Sequence, residues 1–120
     1  CAHEKDVEFD YAPFGITGLE TGLALSLTQL YHTKHLTLSD LISKYTVNPA
    51  KLLNLPKGTL TEGSDADVTV FDPDAEWVFD VNSSPSKSSN TPFNGWTLKG
   101  KPTFTIVNGK IVWCSDQVIA

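Results

Sequence analysis

His32 and His35 stand three residues apart, the spacing at which two imidazoles share one face of a helix and can bind one metal ion together. No cysteine or carboxylate follows at a matching interval. Both histidines fall where the first helix should end, and the dipole favours a cationic side chain there. They are expected to serve the fold. Cys1, His3 and Glu4 form a second cluster of ligand-type residues but lack a fourth partner. Asp65, Asp67, Asp72 and Asp74 are crowded enough to suggest calcium, yet the interval does not follow the twelve-residue loop with its glycine and terminal glutamate. Solvated turn carboxylates are the expectation. Ser83, Ser84, Ser86, Ser88 and Ser89 have no glycine-flanked nucleophile turn, which argues against a serine hydrolase.

Gly15-x-x-Gly18 precedes a helix and could present backbone N–H groups to an anion, although no lysine follows as in a phosphate-binding loop. Its setting, Ala12-Pro13-Phe14-Gly15-Ile16, is apolar. Loops normally run over the surface and are polar, so this one either lies beneath another segment or lines a pocket. From the residues alone both readings stand.

The elements that must position these groups change character near the middle of the chain. Leu19, Leu23, Leu27, Leu30 and Tyr31 recur at intervals of three and four and predict a helix over 18–32. Thr17 and Glu20 are placed as a capping box for it. A second helix is predicted from Thr37, with Leu38, Leu41, Ile42 and Tyr45 on one face and Asp40 in the first turn. A third follows Asn48-Pro49, turns Leu52, Leu53 and Leu55 inward and ends at Pro56. From Gly58 the pattern alternates, as in strands. Val68, Val70 and Phe71 lead to a turn at Asp72-Pro73-Asp74, and a strand resumes from Trp77 to Val81. Thr103 to Val107 and Lys110 to Trp113 flank Asn108-Gly109, the strongest short signal for a two-residue hairpin. Asn82 to Asn90 reads as an exposed serine-rich loop, and about five short strands are expected in all.

The 120 residues suffice for one ordinary domain, and 40% apolar with 19% charged residues excludes disorder, collagen and coiled coil. The formal charge is −5, and all nine basic residues are lysine. Nucleic acid is disfavoured as a partner, since phosphate binding needs clustered positive charge. No run reaches the roughly 18 apolar residues of a membrane helix. Cys1 and Cys114 are expected to be free thiols in a reducing cytosol. The chain has no methionine and opens on Cys1, and its predicted helices carry more apolar surface than a small sheet can cover. Both features suggest a piece of a longer protein.

Longer stretches carry a resemblance. Glu4-Lys5, and then Ala12-Pro13-Phe14-Gly15-Ile16-Thr17-Gly18-Leu19-Glu20, are similar to the last barrel loop and helix of bacterial-type (class I) dihydroorotases, in the cyclic-amidohydrolase superfamily. Thr46 to Leu53, Gly58-Thr59-Leu60 and Gly63 to Asp72 resemble that superfamily's exit from the barrel into its β-sandwich. These pieces are shared with hydantoinases and allantoinases. The run from Ala12 to Glu20 and the run Ser86-Lys87-Ser88-Ser89-Asn90-Thr91-Pro92-Phe93-Asn94-Gly95-Trp96 resemble dihydroorotase better than either relative.

The resemblance implies an α+β fragment. Residues 1–57 would form the end of a (β/α)8 metal-dependent hydrolase barrel, and residues 58–120 strands of its small composite β-sandwich. It implies a cytoplasmic zinc enzyme that reversibly hydrolyses dihydroorotate to N-carbamoyl-aspartate in pyrimidine synthesis. Two zinc ions, their ligands and the catalytic aspartate would all lie upstream, so this chain would hold no metal ligand and no catalytic residue and would be inactive alone. The family's backbone contacts to the substrate map onto Phe14 and Gly15, with Pro13 and Ala12 shaping the same loop. A homodimer, or association of the parent with aspartate transcarbamoylase, is compatible with the resemblance. The alternatives are another cyclic amidase, allantoinase or hydantoinase-like, and a non-catalytic scaffold.

Overall fold

A short 3₁₀ turn at Phe9–Tyr11 leads into the extended segment that carries Phe14 and Gly15. The computed structural model describes residues 5–115, so the Cys1, His3 and Glu4 cluster and any pairing of Cys1 lie outside the described residues. Helix α1 spans Gly22–Ser26 and continues as a π-helical turn over Leu27–Tyr31. This is shorter than the helix expected over 18–32. The capping box is not formed, because Glu20 Oε1 accepts from Ser84 Oγ at 2.8 Å and Thr17 N–H donates to the Asn90 carbonyl at 2.9 Å. Both residues are taken by a loop about seventy positions away, which local capping rules cannot foresee.

Helix α2, Leu38–Tyr45, begins where expected. Thr37 Oγ1 accepts from Asp40 N–H at 3.2 Å and donates to Asp40 Oδ2 at 2.6 Å, and Leu41 is buried. Helix α3, Val47–Leu52, ends earlier than Pro56. Leu55 N–H bonds to the Ala50 carbonyl and Asn54 N–H to that of Lys51, with Asn54 at φ 53, which is a Schellman closure. Leu52, Leu53 and Leu55 do not turn inward: they are 86%, 65% and 51% exposed, and Ala50 is the buried residue of this helix.

Three antiparallel strands form one sheet in the order β1-β2-β3, with β1 at Val68–Val78, β2 at Thr97–Val107 and β3 at Lys110–Cys114. The five short strands expected are thus three among the described residues. Asp72-Pro73-Asp74 does not end a strand. Asp72 pairs with Lys101 and Glu76 with Lys99, so three residues bulge from β1 opposite Gly100. Asp72 Oδ1 accepts from the N–H groups of Asp74 and Ala75, closing the bulge locally and letting pairing resume. The hairpin at Asn108-Gly109 is as expected, both residues having positive φ, 50° and 75°.

Helix α1 and its π-helical turn lie on β2, while α2 packs on the π-helical turn and α3 on α2. Thr28 Oγ1 accepts from Lys99 N–H at 2.8 Å, and Leu27, fully buried, sits where a Cβ on Gly100 would fall 2.2 Å from its Cδ1. Ala24, Phe79 and Leu98 form the core, with Leu25, Trp77, Val81 and Phe93 against it. This core is small. The radius of gyration is 16.7 Å, against roughly 14 Å for a compact domain of this length. The accessible surface is 9026 Å², against about 6,400 Å² for a folded monomer of this mass. Phe9, Phe14, Leu19 and Leu60 are among the large apolar side chains left in solvent.

Candidate functional site

The apolar loop and the serine-rich loop, 70 residues apart in sequence, meet in space. Gly15 adopts φ 101, a region that L side chains rarely enter, and an added Cβ would touch nothing within 4 Å. Its carbonyl receives two donors, Lys5 Nζ at 2.8 Å and Asn90 Nδ2 at 2.7 Å. Lys5 Nζ also donates to the Pro13 carbonyl. Two residues on, Thr17 returns its N–H and its Oγ1 to the Asn90 carbonyl, at 2.9 and 3.3 Å. Ala12 closes the preceding 3₁₀ turn, and the Phe14 ring is fully exposed. No described residue pairs with the N–H of Phe14 or of Gly15.

The contact continues along the chain. Ser84 reaches Glu20, and an open cavity of about 380 Å³ lies between Ile16–Glu20 and Pro85–Ser86. A slightly larger hollow, about 410 Å³, is formed by residues from Tyr31 to Asp40 and includes His35. It shares no residue with the two loops. The first cavity is the better candidate, because both segments that carry the resemblance to dihydroorotases border it.

The other chemistry-bearing residues are placed elsewhere. His32 Nε2 lies 2.8 Å from the Pro73 carbonyl, and a carbonyl only accepts, so this nitrogen carries the proton and is closed to a metal. It is 3.8 Å from Asp74, and the ring stacks edge-on against Tyr31. His32 therefore ties the end of the π-helical turn to the β1 bulge, while His35 is exposed. Lys57 Nζ is 2.6 Å from both Asp65 and Asp67. The Lys57 ammonium and the Asn108 N–H hold the Asp67 carboxyl below its usual value, and Asp65 and Asp67 raise Lys57 above its own. These groups pin the approach to β1 against the hairpin turn on the solvent side. Cys114 is a half-buried free thiol.

Among the described residues no group of three or more His, Cys, Asp or Glu side chains gathers to hold a metal ion. The donor set of the described residues does not fit a zinc centre. Among them, too, no helix is long and apolar enough to cross a membrane. Sequence reasoning singled out Ala12, Pro13, Phe14 and Gly15, and the structure keeps them together on one exposed loop. It gave no individual role to Lys5, Ser84 or Asn90. The one available signal was that the two dihydroorotase-like runs occur in the same chain.

The amidohydrolase family matches residues 10–112. The chain belongs to the amidohydrolase family. Among curated relatives it is 58% identical over 113 residues to a dihydroorotase of Syntrophus aciditrophicus (strain SB), covering 94% of this chain and 26% of that one. It is 52% identical over 110 residues to a dihydroorotase of Clostridioides difficile (strain 630), covering 92% and 26%. The chain thus spans about a quarter of the length of the curated relatives it matches. Among solved structures it is similar to the L-hydantoinase (dihydropyrimidinase) of Arthrobacter aurescens, with TM-score 0.79 and 36% identity over 85% of this chain and 23% of that one. A D-hydantoinase from Bacillus sp. AR9 superposes with TM-score 0.81 at 25% identity, over 91% and 24%. The chain therefore shares its fold with the hydantoinases, while its sequence identity is higher to the dihydroorotases.

Proposed function

We propose that this chain is the C-terminal part of a dihydroorotase, the enzyme that reversibly hydrolyses (S)-dihydroorotate to N-carbamoyl-L-aspartate in de novo pyrimidine biosynthesis. The observation that carries this reading is the identity of 58% to a dihydroorotase over nearly the whole chain, against 36% to a hydantoinase of the same fold. In this reading residues 1–57 are the last loop and helices of a (β/α)8 barrel, and residues 58–120 are sandwich strands. The exposed leucines of α3 and the excess surface fit helices that pack on the rest of a barrel.

Phe14 and Gly15 are assigned to the wall of the substrate pocket, with Pro13 and Ala12 shaping the loop. Their N–H groups, which no described residue pairs, and the open glycine suit close approach of a small polar ring. Zinc belongs in this reading to residues outside the chain, and no catalytic step is assigned to the residues present. The chain alone is expected to be inactive. The test is a hybrid in which this chain replaces the matching quarter of the S. aciditrophicus dihydroorotase. Hydrolysis of dihydroorotate at a rate within tenfold of the parent supports the reading, and a soluble hybrid that prefers hydantoin or allantoin overturns it.

A further inference from the structure

Gly15 can adopt its left-handed backbone freely, and its carbonyl is held from outside the loop by the Asn90 side chain. The Asn90 side chain donates to the Gly15 carbonyl at 2.7 Å, and its backbone carbonyl accepts from Thr17 N–H at 2.9 Å. One residue therefore fixes the chain on both sides of Ile16. Asn90 is half-buried, and the segment that follows it runs directly into the core: Phe93 packs against the Ala24, Phe79 and Leu98 cluster and edge-on against Trp96 at 5.3 Å. Lys5 reaches the same Gly15 carbonyl and also that of Pro13, through a long side chain with more rotamer freedom than asparagine.

With the Gly15 carbonyl bonded to Asn90, the peptide between Gly15 and Ile16 is held in one orientation. The Phe14 N–H shares its peptide with the Pro13 carbonyl, which Lys5 holds, and the Gly15 N–H lies in the peptide between that one and the one Asn90 anchors. These two N–H groups, which no described residue pairs, therefore lie between two held points. A loop of glycine and exposed residues would otherwise lose ordering entropy each time a ligand bound.

We propose that Asn90 is a positioning residue: it preorganises the Phe14–Gly15 backbone for substrate without touching substrate itself. The inference rests on the dihydroorotase reading for the identity of the ligand, and on the hydrogen bonds above for the mechanism. Asn90→Asp is nearly isosteric, keeps the backbone bond to Thr17 and turns an acceptor toward the Gly15 carbonyl. In the hybrid enzyme it raises KM for dihydroorotate about tenfold, the effect of leaving one such bond unmade, with kcat within twofold and an unchanged thermal midpoint. Asn90→Ser, too short to reach Gly15, gives the same KM change if the aspartate variant does not fold.

An unchanged KM in a folded variant overturns the proposal. So does a fall in kcat and thermal midpoint with KM unchanged, which is what a merely structural role produces. If the unmutated hybrid does not hydrolyse dihydroorotate, the functional reading fails by itself. The positioning role is then decided by hydrogen exchange of the segment 13–17 in the same hybrid. Exchange at least tenfold faster in Asn90→Asp supports it, and equal exchange overturns it.

Discussion

Gly100 lies directly beneath Leu27 of the π-helical turn, and substituting it tests the packing that presents both loops. An alanine there meets two costs. Its φ of 98 is a region that costs an L residue roughly 1–3 kcal/mol. Its Cβ would also lie 2.2 Å from Leu27 Cδ1, well inside contact distance, and Leu27 is fully buried and cannot swing aside. Overpacking of this kind costs about 1–3 kcal/mol more. Gly100→Ala should therefore destabilise by about 4 kcal/mol. With a urea slope near 3 kcal/mol per molar, the unfolding midpoint falls by roughly 1 M.

The assay is urea unfolding of the hybrid enzyme followed by tryptophan fluorescence. Trp77 reports directly, because its indole N–H donates to the Gly100 carbonyl at 3.0 Å. Leu27→Ala removes the obstructing methyl and costs about 2–5 kcal/mol alone. The double variant should be more stable than the sum of the two losses by about 2 kcal/mol, the coupling expected of residues in contact. A midpoint for Gly100→Ala within 0.2 M of the unmutated protein, roughly 0.6 kcal/mol on the same slope, or strict additivity in the double variant, refutes the reasoning.

Two further outcomes are expected. Gly15→Val in the hybrid should raise KM for dihydroorotate about tenfold or more, because φ 101 is strained for valine and its side chain occupies the approach to the loop; steady-state kinetics check it, and native KM contradicts it. Lys57→Met should lower the thermal midpoint slightly between about pH 5 and 9. The lowered Asp67 pKa contributes stability above the usual carboxylate value and loses it as pH falls through the folded value, while the raised Lys57 pKa contributes below the usual ammonium value and loses it as pH rises through its own. The difference from the unmutated protein should close below about pH 4 and shrink in high salt, since these groups are exposed; a difference independent of pH contradicts it.

Local signals were legible in the sequence where their partners are local. Thr37 and Asp40 cap α2 within one turn, and Asn108-Gly109 sets its hairpin by backbone preference alone. Signals failed where distant residues intervene. Thr17 and Glu20 had the right spacing for a capping box, but Asn90 and Ser84 claim them. The first half of β2, from Thr97 to Pro102, was not foreseen as strand, because Lys99, Gly100, Lys101 and Pro102 hide its alternation. It pairs because β1 bulges at Asp72–Glu76 to meet it. Leu52, Leu53 and Leu55 read as core residues by type, yet a helix can bury only what has a facing layer, and α3 has none over that stripe. For the site, residue types pointed to the Ala12–Gly15 loop, whereas its two clamps, Lys5 and Asn90, act through carbonyl contacts that leave no periodicity.

We propose that these 120 residues belong to a dihydroorotase rather than to a hydantoinase. Replacing the matching quarter of the S. aciditrophicus enzyme with this chain and measuring kcat/KM for dihydroorotate and for hydantoin tests it most directly. Dihydroorotate hydrolysis within tenfold of the parent, with no gain on hydantoin, is the expected result. A folded hybrid that has lost dihydroorotate and acquired hydantoin as substrate would contradict it.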